Sequence, residues 1–205
     1  MVKQNYETFS EFQDQCHFVA KILLDRISSG LGRKGEQNLH NTHRDDAPSK
    51  SSMFFIHYPP LGEKAGEMGQ NMHTDMGTLT VLFTQQWGLQ VLCPTKGDND
   101  WRFVAPRPGH AIINVGDCLR FLTGYKLRSA LHRVLPLTTG DRYSVAYFLR
   151  PNDDAELSDA TGNNRTAVDW YLKKNQTFES APGKQQESFL LGGMRTGLAR
   201  TALEL

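Results

Sequence analysis

Between Met53 and Arg150 the chain repeats one pattern: short runs rich in Val, Ile, Leu, Phe and Thr that, after the first, recur at intervals of about ten residues. The runs are MFFIHY, TLTVLFTQ, GLQVLC, WRFVAP, HAIINV, CLRFL, ALHRVL and RYSVAYFL, all of which read as strands. Turn-forming residues separate them, notably WG at 87 and 88, KGDND at 96 to 100, PRPG at 106 to 109 and TTGD at 138 to 141. An alternating α/β sheet would need a helix-length segment between successive strands throughout, and from residue 78 onward the gaps are too short for one. The spacing therefore predicts a mainly β fold with flanking helices, of the sandwich, jelly-roll or barrel type.

The flanks differ in texture. From Tyr6 to Leu31, Phe9, Phe12, Cys16, Val19, Ala20, Leu23, Leu24 and Ile27 fall mainly three or four apart, which predicts a packing helix over 5–31 ended by Ser28-Ser29-Gly30. Residues 33 to 52 lack periodicity and read as a surface loop. Beyond Arg150, PNDDAELSDATGNNR is polar and turn-rich, TAVDWYLKKNQTF suits one short helix, and the end from APGKQQES onward reads as loosely packed. The expected organisation is one domain over 1–205: the helix, a β core over 53–150 and a polar C-terminal extension over 151–205.

Charge and composition exclude whole classes of partner. Lys plus Arg number 23 against 22 for Asp plus Glu, a net charge of +1, so no basic footprint for nucleic acid or an acidic membrane is present. No run approaches 18 apolar residues, and the start MVKQNYETFSEFQDQ has neither a basic nor an apolar leader segment, so a cytoplasmic chain is expected. Cys16, Cys93 and Cys118 are odd in number and widely spaced, which argues against a disulfide framework or structural zinc and for small buried side chains. The Asn-x-Thr triplets at Asn164 and Asn175 carry little meaning without a secretory route. No P-loop or G-x-G-x-x-G occurs, so nothing points to a phosphate cradle.

The chemistry-bearing residues lie inside the β region. In His73-Thr74-Asp75, residues i and i+2 of an extended chain point to the same side, so an imidazole and a carboxylate can approach one ion. His132, on a predicted strand 57 residues further on, offers a third ligand. Two imidazoles and one carboxylate on one face leave three coordination positions open, the arrangement of non-haem iron(II) oxygenases. Arg142-Tyr143-Ser144 again pairs i with i+2, and a guanidinium fork with a neighbouring hydroxyl suits a carboxylate ligand. Tyr58 supplies a phenol within possible reach of that carboxylate. Each has a plainer alternative: H-x-D arises often by chance, Arg142 can pair with Asp141, and Tyr58 is by default a half-buried aromatic. Their joint order and spacing raise the weight of the metal reading.

Other polar residues carry less. His40 and His43, beside Asp45 and Asp46, sit in the predicted loop and read as solvated; His17, His57 and His110 have no ligand-like companion. His57 alternates with Tyr58 and should face away from it. Asn114 and Asp117 read as turn residues, Lys126 and Arg128 as a solvated loop, and Met53, Phe55, Leu79, Leu89, Phe121 and Val134 as core rather than pocket wall.

On HYPP at 57 to 60, HTDMGTLTVLFTQQWGLQVL at 73 to 92, Trp101 with the VAPRPG turn, INVGD at 113 to 117, LHRVL at 131 to 135 and DRYS at 141 to 144, the sequence resembles the isopenicillin N synthase-like family of iron(II)- and 2-oxoglutarate-dependent oxygenases. The likeness spans roughly residues 5 to 180, with Thr123-Gly124 replacing the family's common Asn-Gly. It implies a distorted jelly roll, or double-stranded β-helix, with His73, Asp75 and His132 as ligands of Fe(II). Arg142 and Ser144, helped by Tyr58, would hold the distal carboxylate of 2-oxoglutarate. The implied activity is hydroxylation, desaturation or cyclisation of a small organic molecule of secondary metabolism, using dioxygen and releasing succinate and carbon dioxide. Two alternatives stay open: an iron-dependent oxidase of the same fold that does not use 2-oxoglutarate, and a truncated, non-catalytic binding protein. The family's N-terminal region, which contributes early strands, has no counterpart here, so self-association or a partner chain covering those strands is expected.

Overall fold

The computed structural model describes residues 2–60, 70–93, 100–135 and 140–178. Helix α1 (Tyr6–Gly30) buries one residue per turn, Cys16, Ala20, Leu24 and Ser28, as its sequence periodicity requires. That stripe lies on Leu79, Val81, Tyr147 and Leu149, while Phe12 meets Phe83 at 5.2 Å between ring centroids. The chain then turns back through short helical turns at Gly35–Gln37 and Leu39–Thr42 rather than running as a surface loop. The Ser28 hydroxyl accepts from the Leu39 amide at 3.2 Å and holds this return against α1.

His43, expected in solvent, is buried at 3% exposure. Its Nδ1 donates to the Leu39 carbonyl at 2.8 Å, so its Nε2 accepts from the Thr78 hydroxyl at 2.7 Å. Both ring nitrogens are thereby satisfied in the neutral form, which is why a polar ring tolerates the interior. Hydropathy periodicity is blind to such pairing.

Two four-stranded antiparallel sheets form the core of the β region. The first has the order β1 (Ser52–Tyr58), β8 (Arg142–Leu149), β3 (Leu79–Thr84), β6 (Ile112–Val115). The second has the order β2 (Gln70–His73), β7 (His132–Val134), β4 (Leu89–Leu92), β5 (Trp101–Phe103). Alternation along β8 sends Tyr147 and Leu149 toward α1 and Arg142, Ser144, Ala146 and Phe148 into a cavity between the sheets. This is the expected jelly roll with helices outside. Among the described residues, no helix is long and apolar enough to cross a membrane.

One predicted strand is a helix. CLRFL lies in α2 (Asp117–Leu122), whose residues from Asp117 to Phe121 are all buried. Leu119 joins the core under α1, whereas Cys118 and Phe121 join a second core with Ala155, Leu157, Ala167 and Trp170. A short helix buried on every side shows no exposed polar face, and periodicity cannot tell it from a buried strand. The segment after Arg150 is also more ordered than its polarity suggests. It forms a hairpin of β9 (Glu156–Ser158) and β10 (Asn164–Thr166), followed by α3 (Ala167–Phe178), with Trp170 fully buried. The Asp159 carboxylate accepts from the amides of Thr161 and Asn163 and from Arg165 Nε, which shapes the hairpin turn. The end expected to be loosely packed lies outside the described residues.

The start of α2 crosses the chain between Asp75 and Thr78. Asp117 N donates to Asp75 O at 2.8 Å, Cys118 N to Gly77 O at 3.0 Å and Gly116 N to Thr78 O at 3.0 Å. First-turn amides that a helix leaves unpaired are thus used to fix a neighbouring segment. The approach needs bare backbone: a Cβ on Gly116 would collide with the Gly77 carbonyl, and one on Gly77 would come within 2.6 Å of Leu149 O.

Gly116→Ala should therefore cost about 2–4 kcal/mol in urea unfolding, because backbone must move. Gly124→Ala, at a φ of +62° with open space around it, should cost only about 1–2 kcal/mol for the left-handed conformation. A second expectation concerns pH. Burial lowers the His43 pKa from 6.5 to about 4, so between these values the unfolded chain binds the extra proton. The resulting stability is present above the unfolded pKa and is lost as pH falls toward 4, by about 3 kcal/mol. His43→Gln should flatten that part of the stability profile measured from pH 7 to 4.

Candidate active site

His73 closes β2 and His132 opens β7, and the two are direct cross-strand partners. Their rings stand 4.3 Å apart between centroids. Asp75 follows two residues after His73, beyond the strand end, and its Oδ1 lies 3.7 Å from His73 Nε2 and 3.5 Å from His132 Nε2. One donor atom from each residue lies within 4.8 Å of the others, and all three side chains are largely shielded from solvent. His132 Nδ1 lies 3.0 Å from the Ala130 carbonyl, which can only accept. That bond places a proton on Nδ1 and turns Nε2 toward Asp75, the nitrogen a metal ligand would present.

Asp75 divides its two oxygens. Oδ2 accepts from Thr80 Oγ1 and from Asn114 Nδ2, each at 2.6 Å, which leaves Oδ1 toward the imidazoles. Burial pushes the carboxyl pKa up, but His132, His73 and the bonds from Thr80 and Asn114 outweigh it, holding the group below the usual carboxylate range. The result is an ionised, single-oxygen donor beside two imidazole nitrogens, a donor set that fits a divalent first-row ion with open positions.

The opposite end of the cavity carries positive charge. On β8, Arg142 is 1% exposed and Ser144 5% exposed, both on the inward face. Arg142 Nε donates to the Trp87 carbonyl at 3.1 Å, and Nη1 reaches toward Ser144 Oγ at 3.5 Å. Its Nη2 has no hydrogen-bond partner among the described residues. Register sets Tyr58 of β1 opposite Arg142, with the guanidinium 5.0 Å from the phenol ring. Burial lowers the Arg142 pKa and raises that of Tyr58, each partly countered by the other group. Asp141, the alternative partner weighed for Arg142, instead meets His57 Nε2 at 2.6 Å on the outside. A buried guanidinium with an unmet donor fits an acidic ligand, which would supply both missing charge and missing acceptor.

Between these ends lies a cavity of about 220 Å³ walled by Ile56, Leu82, Leu89, Val91, Ile112, Val134 and Phe148 among others. Leu89 and Val134, taken as core, line it, whereas Leu79 and Phe121 lie in the two cores and Phe55 is exposed. All six side chains singled out in the β region, His73, Asp75, His132, Arg142, Ser144 and Tyr58, face this one space. Sequence reasoning missed Thr80 and gave Asn114 and Asp117 to a turn. Asn114 instead orients Asp75, and Asp117 is a fully buried acid paired with Lys174. A signal existed for the first two: Thr80 and Asn114 are polar residues interrupting apolar runs, at positions whose parity matches the cavity face.

The comparisons agree with this geometry. The family model for the 2OG-Fe(II) oxygenase superfamily matches residues 49–151. The chain is 47% identical over 205 residues to the 2-oxoglutarate-dependent dioxygenase FG08081 of Gibberella zeae, covering 98% of this chain and 61% of that protein. It is 44% identical over 205 residues to the 2-oxoglutarate-dependent dioxygenase iboH of Amanita muscaria, covering 97% of this chain and 98% of that one. Among solved structures, the rice dioxygenase for auxin oxidation superposes with a TM-score of 0.71 at 25% identity, over 93% of this chain and 63% of the other. The chain thus spans about three fifths of one relative and nearly all of another. With the two facing sheets, the three converging side chains of His73, Asp75 and His132 and relatives of this similarity together, the chain belongs to the 2OG-Fe(II) oxygenase superfamily.

Proposed function

We propose that this chain is an Fe(II)- and 2-oxoglutarate-dependent oxygenase acting on a small organic molecule of secondary metabolism. One observation carries the reading: a single cavity has an acceptor triad at one end and a buried, incompletely bonded guanidinium at the other. His73, Asp75 and His132 would hold the iron, and Arg142, Ser144 and Tyr58 would receive the distal carboxylate of 2-oxoglutarate. Bound there, iron(II) supplies the activation of dioxygen that couples decarboxylation of the keto acid to succinate with oxidation of a substrate C–H bond.

The side chains divide the remaining work. Asp75 stays ionised and presents Oδ1 because Thr80 and Asn114 occupy Oδ2. His132 holds Nδ1 against Ala130 O, which fixes its ring so that the other nitrogen would face the metal. Arg142 exchanges an unmet donor for a charge-assisted bond, and Ser144 fixes the orientation of the fork. The aliphatic wall of Ile56, Leu82, Leu89, Val91, Ile112 and Val134 excludes water and strengthens each of these interactions.

The reading extends to placement and partners. Three unpaired thiols, Cys16, Cys93 and Cys118, favour a reducing, cytoplasmic setting. Strand β1 is the outer strand of its sheet and exposes Phe54 and Phe55, which favours coverage by a second copy or another chain.

The test is succinate formation from 2-oxoglutarate with iron(II) and dioxygen. Oxygen consumption without succinate would instead support the oxidase alternative, and iron binding without turnover the non-catalytic one. His132→Ala should weaken iron binding by at least about 100-fold, since one of three ligands is lost. Wild-type affinity in that variant would remove His132 from the ligand set. Arg142→Ala should raise the KM for 2-oxoglutarate by about 10–100-fold, the worth of a bond to a charged group, and spare iron affinity.

A further inference from the structure

We infer that the buried Lys174–Asp117 pair is a positioning element of the metal site, through which the docking of α3 controls metal affinity. The inference rests on the assignment of His73, Asp75 and His132 as ligands.

Lys174 lies on α3 and is 1% exposed, and Asp117 at the start of α2 is fully buried. They form an ion pair. The Asp117 carboxylate then reaches both ligand-bearing segments. Its Oδ2 accepts from Thr74 Oγ1 at 2.8 Å, and Thr74 stands between His73 and Asp75. Its Oδ1 accepts from Ser129 Oγ, and Ser129 precedes Ala130, whose carbonyl fixes the His132 ring. Lys174 Nζ adds bonds to Thr74 Oγ1 at 3.1 Å and Thr74 O at 3.4 Å. The Asp117 amide holds the Asp75 carbonyl at 2.8 Å.

Stability alone is a poor account of such a pair. A buried ion pair recovers little beyond its own desolvation, and apolar substitutes of similar volume are often as stable. Much of this interface is apolar, with Ala167 and Trp170 packed on Cys118, Phe121 and Leu157, and Tyr171 stacks under the Arg150 guanidinium. What the pair adds is direction: it ties the segment before Asp75 and the segment before His132 to one carboxylate. Lys174 and Asp117 do not line the cavity and so act only through these neighbours.

The test uses the full chain and Mn(II) alone as probe, with affinity measured by isothermal titration and folding by thermal melting. Lys174→Met/Asp117→Asn leaves no unpaired buried charge and should fold. It should bind Mn(II) about 10–100-fold more weakly, the usual range for groups that orient ligands. Lys174→Arg, which keeps the charge, should recover part of the loss. Ser129→Ala keeps the ion pair and should lose affinity by about 10-fold, because only the link to the His132 segment is cut. A merely structural pair would lower the melting temperature and leave the affinity of the folded protein at the wild-type value. That result in the double variant overturns the inference, and in Ser129→Ala it overturns the link to the His132 segment. Should the double variant not fold, hydrogen exchange of the α3 amides decides: slowing on addition of Mn(II) to wild type supports the coupling, and unchanged exchange overturns it. His132→Ala separates the two readings. Loss of Mn(II) binding there with full binding in the double variant rejects the positioning role alone, whereas full binding in His132→Ala rejects the ligand assignment itself.

Discussion

A buried carboxylate with two different obligations governs this molecule. Asp75 is shielded from water, so its charge must be met from within. Thr80 and Asn114, from β3 and β6 of one sheet, donate to one oxygen. The imidazoles of β2 and β7, from the other sheet, face the second oxygen. One carboxylate therefore registers the two sheets against each other. The close crossing at Gly77 and Gly116 follows, since Asp75 can stand between the sheets only if the chain after it passes tight against the start of α2.

The same physics polarises the cavity. One end offers two imidazole nitrogens and an anionic oxygen, a donor set suited to a cation. The far end offers a guanidinium with an N–H unmet among the described residues, and a hydroxyl, donors suited to an anion. An aliphatic wall separates them and keeps the effective dielectric low, so each end acts strongly on a ligand of the right sign. A molecule that carries a carboxylate and also binds metal satisfies both ends at once, which a simple anion or a simple cation cannot do.

The sequence made the site more legible than its surroundings. His73-x-Asp75 and Arg142-x-Ser144 could be read because strand geometry maps a two-residue step onto a shared face, and this mapping needs no tertiary information. The helix α1 was legible for the same reason at period 3.6, as was α3. What failed had no local signature. CLRFL shows no exposed polar face because even Arg120 is buried, and the amides at the start of its helix are held by the carbonyls of Asp75, Gly77 and Thr78. His43 enters the interior only because Thr78, 35 residues away, supplies the partner its Nε2 needs. Asp117 looked like a turn residue since its partner Lys174 lies 57 positions further on. Polar residues satisfied by distant partners are invisible to any window of sequence.

That third kind of residue changes how the C-terminal segment is understood. A polar extension would be expected to contribute little to a site built on strands, yet α3 delivers a charge into the interior beside Thr74, between His73 and Asp75. Placing that charge is costly, and so is keeping Arg142 buried with an unmet donor at the far end of the cavity. Both costs fall on the ligand-free state, and ligands of matching charge would relieve the second of them. Anything that binds the folded chain alone stabilises it in proportion to the logarithm of its concentration over its dissociation constant. A site assembled from charges held in waiting is therefore tied to the stability of the whole fold: the interactions that make the cavity receptive are the ones whose satisfaction by ligand the folded chain gains most from.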